Sequence, residues 1–404
     1  MKFSFINSLL TTLILSFFSL SQAMAVDMHG VMCGSDIRPA DQKVIDEFMN
    51  DNPGVNVTLE AVPWGTCQDK VINLAIAGDP VSFSYIGSRT LKGLAENNLI
   101  VPVDIPLSQQ RMYQDGVLDT VTYKGKIWGY PHAFSTKALF MNCDLLAKAG
   151  VRCDGPRTWD ELYSMAEAVT NNVPGVSGIG LAGKDFDNTM HQFLNYLYSN
   201  GGQVIDPDTN EITLNSPNTI ETLEFYAKLA NVSQEGPLAW ERSQLRELLN
   251  DGKIAMYIDG PWGRGQHKEE LNMKTVRIPA GPSGSRGTLL ITDSVAVFNG
   301  TGHEEMASKL VAQLCSGEAQ YDLDTSWGLT PIMKYPEIGR VPPLNEDYWM
   351  MFIKAIKDGG PEPLFVDYKA FQSVMNSMIQ GAILGEGDAA DLVAEAAEEL
   401  EEYK

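Results

Sequence analysis

The chain has 404 residues, of which 44% are hydrophobic and 20% are charged, which is enough for one large or two medium domains. Asp and Glu number 52 against 30 Lys and Arg, so the net charge is −22 at pH 7. Such a surface repels nucleic-acid phosphates and anionic lipids, which excludes DNA, RNA or a membrane surface as the main partner. The composition shows no sign of disorder, of a collagen-like repeat or of a coiled coil.

The first 25 residues have the pattern of a secretory signal peptide. Lys2 is the only charged residue before Asp27, and an apolar run from residue 6 to residue 20 follows it. Ala23-Met24-Ala25 is a small-x-small cleavage site, so we expect a mature chain that begins near Val26. A lipid anchor would need Cys at that position. These features predict export to the periplasm as a free protein, and an uncleaved, anchored signal is the alternative.

Five cysteines lie in this exported chain, where disulfides can persist. Cys143 and Cys153 flank a short helical stretch, and Cys33 and Cys67 each follow one of two strands that we expect to be neighbours. We predict the pairs Cys33–Cys67 and Cys143–Cys153, with Cys315 free, although other pairings stay open on sequence alone. No CxxC or HxxxH spacing is present, so we expect no metal site.

The mature chain begins with alternating strands and helices. In order, these elements are predicted at residues 27–32, 39–50, 55–62, 67–77, 81–86 and 91–96. This β-α-β-α-β order indicates a mostly parallel α/β sheet, in which ligands bind at the carboxyl ends of the strands. Those ends carry Gly34-Ser35-Asp36, Trp64 and Ser88-Arg89-Thr90.

The rest of the chain continues the alternation. Thr158 with Glu161 has the spacing of a capping box before a helix to residue 169, and Ser216-Pro217 begins a helix to residue 229. Further elements are predicted as an extended stretch at 127–141, strands at 254–258 and 288–298, and helices at 190–199, 240–250, 304–314, 371–384 and 388–401. The α/β pattern therefore extends over the whole mature chain.

Six stretches of the mature chain match one known family in the same order. They are the turn Gly78-Asp79-Pro80, "LKGLAENNLI", the strand that leads to Met141-Asn142-Cys143-Asp144, "TWDEL", "SNGG" and "GKIAMYIDGPW". Together they resemble the extracellular solute-binding proteins of ABC importers, family 1, the maltodextrin or sugar-binding type. Two stretches depart from the family pattern: Val81 and Ser82 replace a Pro-Asp pair after the turn, and Met141 and Cys143 replace the Tyr and Lys of a Tyr-Asn-Lys-Asp motif.

The resemblance implies a two-lobed periplasmic-binding-protein fold of type II, the Venus-flytrap form, with two α/β sheets and crossing hinge strands. It assigns residues 26–134 and 288–330 to an N-terminal lobe, and residues 135–287 and 331–404 to a C-terminal lobe. The lobes would close on a ligand in the cleft between them, and the closed form would dock on an ABC permease in the inner membrane. We therefore expect a monomeric periplasmic binding protein for a sugar or a sugar-derived solute; a chemoreceptor is an equally compatible partner.

A sugar site needs aromatic rings against the apolar faces of the sugar and fixed polar groups for its hydroxyls. Asp36 and Trp64 follow strands at the expected edge of the sheet, and Trp262 lies in a Gly-Pro-Trp turn that presents a stacking ring in the family. The alternative for the tryptophans is a place in the hydrophobic core, and the alternative for Asp36 is a helix-capping role. Trp327 lies near the returning crossing segment and is a further candidate.

Arg89 is the main departure from the family. Maltodextrin binders place an acidic residue after the third strand, where this chain has Arg89 between Ser88 and Thr90. A guanidinium with neighbouring hydroxyls at a helix start can bind an anion, which would favour a sugar acid, a sulfonate, a sulfate or a glycerol phosphate. The alternative is that Arg89 pairs with Asp79 or another carboxylate. Lys137 follows the predicted crossover, and the remaining candidate ligand-binding residues are His132, Ser135, His191, Arg264, Asp293 and Gln372.

No pattern in the chain predicts a catalytic site. Residues 178–183 fit GxGxxG but do not lie in a first βαβ unit, and no GxSxG, P-loop or HExxH motif occurs. The acidic pairs belong to surface runs rather than to two carboxylates that face one glycosidic bond, so secreted glycan hydrolysis is a remote alternative. We expect no catalytic residue and no cofactor.

Overall fold

The computed structural model describes residues 25–206 and 209–403. The predicted signal peptide, apart from Ala25, lies outside these described residues. Within the described ranges, no helix is both long enough and apolar enough to cross a membrane.

The element order is a strand and helix alternation in which the strands divide between two main sheets. The strands are β1 (Val26–Cys33), β2 (Val55–Val62), β3 (Phe83–Gly87), β4 (Thr122–Tyr123), β5 (Lys126–Ile127), β6 (Tyr130–Ser135), β7 (Ala138–Asn142), β8 (Ser177–Ile179), β9 (Ile254–Asp259), β10 (Met273–Val276), β11 (Leu289–Val297) and β12 (Gly360–Pro361). The helices are α1 (Pro39–Asp51), α2 (Trp64–Ile76), α3 (Leu91–Glu96), α4 (Leu107–Gln110), α5 (Cys143–Lys148), α6 (Trp159–Asn172), α7 (Asp187–Ser199), α8 (Pro217–Leu229), α9 (Arg242–Asn250), α10 (Gly263–Gln266), α11 (Glu304–Leu314), α12 (Gly317–Trp327), α13 (Asp347–Ala355), α14 (Tyr368–Leu384) and α15 (Ala389–Leu400).

The first sheet has the strand order β12-β11-β3-β1-β2, and β6 pairs with β11. β1 runs parallel to β2 and to β3, so the predicted β-α-β-α-β unit is confirmed. β11 runs antiparallel to both β3 and β6. The helices α1, α2 and α11 pack against strands of this sheet.

The second sheet has the order β10-β7-β9-β8, with β7 antiparallel to both of its neighbours and β8 parallel to β9. α6 and α9 pack on β8 and β9, and α7, α8, α14 and α15 pack on one another beside them. Each sheet has its own buried apolar core. The mixed α/β architecture with two sheets agrees with the predicted fold class.

Three segments connect the two sheets. Residues 136–137 join β6 to β7, residues 277–288 join β10 to β11, and residues 328–367, whose strand β12 pairs with the start of β11, lead from α12 to α14. β11 belongs to both cores, because Leu289 and Ile291 are buried in the second core whereas Val295 and Val297 are buried in the first. The exact lobe boundaries stay a prediction.

The ends of several helices differ from the predicted ones in a way that matters for the cleft. α2 begins at Trp64 rather than at residue 67, and α7 begins at Asp187 rather than at residue 190. The predicted extended stretch 127–141 divides into β5, β6 and β7. Residues 331–367 received no element from the sequence, although they contain α13 and β12. Thr158 and Ser216 accept hydrogen bonds from the backbone NH of Glu161 and Thr219, as helix N-caps do.

Both predicted disulfides are present, and Cys315 is free and buried. Cys33 ends β1 and Cys67 lies in the first turns of α2, so the parallel pairing of β1 with β2 brings them together. The second bridge links Cys143, at the start of α5, to Cys153.

Candidate ligand-binding cleft

A cavity of about 1590 Å³ opens between the two sheets and takes lining residues from both. The loops after β1 and β2 form one wall, and the start of α7 and the turn after β9 form the other. Nine of the predicted site residues line it: Asp36, Trp64, Arg89, Thr90, Ser135, His191, Trp262, Asp293 and Gln372. Because one wall lies at the carboxyl ends of β1, β2 and β3, the cavity occupies the position expected of a binding site in an open α/β sheet.

Trp64 and Asp36 lie on the wall that follows β1 and β2. Trp64 is half-buried at the start of α2, with its ring centroid 5.8 Å from that of Tyr85 and 5.4 Å from Cζ of Arg89. Asp36 is exposed and accepts a 2.9 Å hydrogen bond from Oγ of the adjacent Ser35. An aromatic ring and an accessible carboxylate on one wall suit the apolar face and the hydroxyls of a sugar.

Arg89 pairs with carboxylates rather than lying open to a ligand, and only its buried Nε lacks a hydrogen-bond partner. Its side chain is 1% exposed, with Nη2 2.9 Å from Asp187 and Nη1 3.1 Å from Asp293 and 3.5 Å from Glu362. The guanidinium lies directly on Gly87, where an added Cβ would come within 2.4 Å of Cζ. Arg89 therefore pairs with carboxylates, which is the alternative left open by the sequence, although Asp79 is not one of its ion-pair partners.

Asp293 is the most exposed carboxylate of this group, and it lines the cavity. Its side chain is 17% exposed, against 2% for Asp187 and Glu362. The register of β11 against β6 shifts between Asp293 and Ser294, and this irregularity occurs where the strand passes the cavity. Burial raises the pKa of Asp293 in spite of Arg89, and the hydroxyl of Tyr85 donates to Asp293 Oδ2 at 3.2 Å.

His191 and Glu362 link the second wall to the Arg89 group. His191 lies on α7 and hydrogen-bonds through Nε2 to Glu362 and, at 3.2 Å, to the hydroxyl of Tyr368. Burial would raise the pKa of Glu362, but the charges of Arg89 and His191 and the hydrogen bonds from His191 and Tyr368 lower it to about 2. The carboxylate is therefore ionised and fully engaged at neutral pH.

Trp262 lies in the turn after β9 with its ring against Gly260, where an added Cβ would come within 2.4 Å of the ring. Two cations lie over the same ring: Nζ of Lys137 at 4.3 Å and Cζ of Arg242 at 5.3 Å from the ring centroid. Arg242 is paired with the buried Asp259 at 2.5 Å. Trp262 therefore borders the cavity, and its ring lies beneath the ammonium of Lys137.

Three predicted site residues do not reach the cavity. Ser88 is buried and hydrogen-bonds through Oγ to Ser294 Oγ at 2.6 Å. His132 is fully buried with Nε2 3.0 Å from Asp41 Oδ1. Arg264 is exposed on the short helix α10 and pairs with Glu346 at 2.7 Å. In each case a neighbouring protein group satisfies the polar atoms, which sequence position alone does not show.

Asp41, His132 and Cys315 form a chain in the order of a nucleophilic triad, because Sγ of Cys315 lies 3.4 Å from Nδ1 of His132. None of the three lines the cavity, and burial raises the pKa of the Cys315 thiol well above its usual range. The chain is a buried polar network rather than an accessible nucleophile. Among the described residues, no group of three or more His, Cys, Asp or Glu side chains could hold a metal ion.

The sequence missed several charged residues of the cleft, and Arg38 is the clearest example. Its guanidinium lies between the rings of Tyr85 and Trp327, 4.2 and 4.4 Å from their centroids, and its Nε donates to Asp41 at 2.5 Å. Asp187 could have been found as an acidic residue in the first turn of a helix whose end faces the cleft. No sequence pattern pointed to Glu362, because no helix or strand was predicted for the segment that contains it.

The comparisons with known proteins agree with this geometry. The sequence profile of the bacterial extracellular solute-binding protein family matches residues 34–321. A binding protein of Brucella abortus is 27% identical over 391 residues, which cover 95% of this chain and 94% of that protein.

Two solved structures share the fold. A solute-binding protein of an ABC transporter from Thermotoga lettingae, solved with α-D-tagatose, superposes with a TM-score of 0.82 at 21% identity over 93% of this chain and 99% of that one. The maltose-bound MalE3 of T. maritima gives a TM-score of 0.79 at 22% identity, also over 93% and 99%. The predicted two-lobed fold is thus confirmed, and the chain belongs to the bacterial extracellular solute-binding protein family.

Proposed function

We propose that this chain is the solute-binding component of an ABC importer and that it captures an uncharged sugar in the cleft. The observation that carries the proposal is the cavity itself, in which rings and hydrogen-bonding groups from both walls face one another. Its volume of about 1590 Å³ exceeds the 300–1,000 Å³ of ordinary small-molecule pockets, so there is room for more than one sugar ring. The maltose and α-D-tagatose held by the two similar structures support a carbohydrate ligand.

The charges of the cleft favour a neutral ligand over the anionic one considered from the sequence. Among the described residues, the ionic groups around Arg89 and Trp262 other than His191 are three cations and four carboxylates: Arg89, Lys137, Arg242, Asp187, Asp259, Asp293 and Glu362. An anion would therefore meet no net positive charge there, and the anion site proposed at Arg89 loses its main support. A sugar needs donors and acceptors but no counter-charge, and this set offers both.

The mechanism follows from which side chains meet across the cavity. Asp36 and Trp64 approach from the wall of the first sheet, and His191 and Trp262 approach from the wall of the second. A ligand that contacts both walls stabilises the closed arrangement by its difference in affinity for the closed and open states. We infer that the closed, periplasmic form delivers the sugar to a membrane permease and that the chain releases the sugar chemically unchanged.

A thermal-shift screen of the mature chain from Val26 tests this function. One panel holds maltose, maltotriose, maltotetraose, glucose and D-tagatose, and the other holds glucuronate, glycerol 3-phosphate and a sulfated sugar. A neutral sugar at 100 times its Kd is expected to add about 2.7 kcal/mol to the stability of the folded chain and so to raise the Tm. A shift confined to the anionic panel would contradict the proposal, and no shift in either panel would refute it for these sugars.

Two variants connect the shift to the cleft. Trp64→Ala and Asp293→Asn are each expected to weaken sugar binding about 10- to 100-fold, because one loses a ring contact and the other a charged acceptor. Trp128→Phe is the matched control, since Trp128 is half-buried outside the cavity. Equal loss of affinity in the control would show that the effect is not local to the cleft.

A further inference from the structure

Lys137 lies where the chain crosses between the two sheets. Its backbone NH donates to Thr288 Oγ1 at 2.8 Å, and the same hydroxyl donates back to the carbonyl of Lys137 at 3.2 Å. These hydrogen bonds hold the connecting segment 136–137 against the connecting segment 277–288, which precedes β11. The backbone of Lys137 is thereby fixed, and its side chain lines the cavity.

The ammonium of Lys137 has few partners for a group so deeply buried. The residue is 7% exposed, and Nζ donates to Ser135 Oγ at 2.8 Å. Over the part of the chain that the structure describes, none of the ion pairs within 4.0 Å includes Lys137, whereas Arg89 and Arg242, which line the same cavity, are both paired. An ammonium has three donor hydrogens, so two of them are left for a group that enters the cavity.

Charged groups from four elements face Lys137. Arg242 of α9 opposes its charge, and Asp259 of β9, Asp293 of β11 and Glu362 after β12 favour it. Asp259 is held by Arg242, and Asp293 and Glu362 are held by Arg89. Burial, with Arg242 adding to it, lowers the pKa of Lys137 to about 7. Lys137 therefore lies in a site whose carboxylates are already engaged.

We propose that Lys137 is a specificity-determining residue which donates from the hinge to a hydroxyl or ring oxygen of the bound sugar, next to Ser135 and Trp262. The inference deepens the proposed function and rests on it. An uncharged oxygen is the expected acceptor, because Asp259, Asp293 and Glu362 would repel an anionic group. The main role of Trp262 would then be a cation–π contact with the ammonium, since Nζ lies 4.3 Å over its ring.

Binding is then linked to protonation. An acceptor oxygen on Nζ favours the charged ammonium, so the complex holds its proton to a higher pH than the free chain does. At pH 8 the sugar should bind together with up to one proton, and its affinity should fall by up to about tenfold per pH unit above 7.

Isothermal titration calorimetry tests this with the neutral sugar that gives the largest thermal shift. Titrations at pH 8 in phosphate and in Tris, which differ in ionisation enthalpy, report the protons exchanged by the wild type, by Lys137→Met and by the control Lys274→Met. Lys274 is exposed on β10 and does not line the cavity. We expect proton uptake in the wild type and in the control. For Lys137→Met we expect no uptake and an affinity about 10- to 100-fold lower.

The outcomes separate the two proposals. If no neutral sugar binds the wild type, the proposed function fails and this inference fails with it. If the wild type binds but Lys137→Met binds equally well, or if the wild type exchanges no proton, only the inference is overturned. Should Lys137→Met fail to fold, Lys137→Arg provides the second test: its permanent charge should abolish proton uptake, and unchanged uptake would overturn the inference.

Discussion

Arg89 and Lys137 are two buried cations of the cleft whose surroundings differ sharply. Arg89 lies within 3.5 Å of three carboxylates, whereas Lys137 has one hydroxyl and one aromatic ring. From the sequence, the two residues pointed to the same kind of anionic ligand. Their surroundings show that a cation in a cleft indicates a charged ligand only when its charge is unbalanced after its protein partners have been counted.

Removing Arg89 should have the largest effect of the changes that test this contrast. Arg89→Ala leaves Asp187, Asp293 and Glu362 without their shared counter-charge, and we expect a loss of about 3–5 kcal/mol in the free energy of unfolding. Urea denaturation of the ligand-free chain measures it. Arg264→Ala removes an exposed pair with Glu346 and should cost at most about 1 kcal/mol. Equal losses of unfolding free energy in Arg89→Ala and Arg264→Ala would contradict the structural role given to the Arg89 ion pairs.

The acid limb of the stability curve should report the Arg89 group through Glu362. Its pKa is lowered from 4.5 to about 2, so the stabilisation is present above pH 4.5 and is lost as the pH falls towards 2. The loss amounts to about 3 kcal/mol. Glu362→Gln should lack this component, and Glu346→Gln, in an exposed pair, should keep it. Denaturation between pH 5 and pH 2.5 that is parallel for wild type and Glu362→Gln would argue against the assignment.

The titration of Lys137 should change the stability of the folded chain above neutral pH. Its pKa is lowered from 10.5 to about 7, so the unfolded chain binds an extra proton between these values. The stability of the wild type relative to Lys137→Met should therefore rise by about 2–3 kcal/mol from pH 6 to pH 9. Lys274→Met, outside the cavity, should follow the wild type across this range. A constant difference between wild type and Lys137→Met would mean that the ammonium is not desolvated as the structure indicates.

Most of the fold could be predicted from the sequence because its signals are local. The strand at Val55–Val62 and the helices at Leu91–Glu96 and Glu304–Leu314 have the predicted bounds. Apolar periodicity and end signals determine such elements. The antiparallel pairing of β11 with β3 and β6 could not be predicted in this way, because it joins residues more than 150 positions apart.

The site was predicted less completely, and the reason is physical. Trp64, Asp36 and Trp262 follow strand ends, and a rule about sheets places such residues in the cleft. Whether Arg89 binds a ligand depends on Asp187 and Glu362, which lie 98 and 273 positions away in sequence. His132 was misplaced for the same reason, since its partner Asp41 lies on α1, 91 positions earlier. Pairings of this kind need the three-dimensional arrangement.

The bridge between Cys33 and Cys67 has a practical consequence for anyone who prepares the protein. It joins the end of β1 to α2. Asp36 follows Cys33 closely in sequence, and Trp64 shortly precedes Cys67. Material produced in a reducing cytosol would lack this fastening, so one edge of the cleft would be looser while the rest of the fold remained. Affinity should therefore depend on the redox history of the sample. Dialysis of cytosolic material against a glutathione redox buffer should raise its affinity towards that of exported protein.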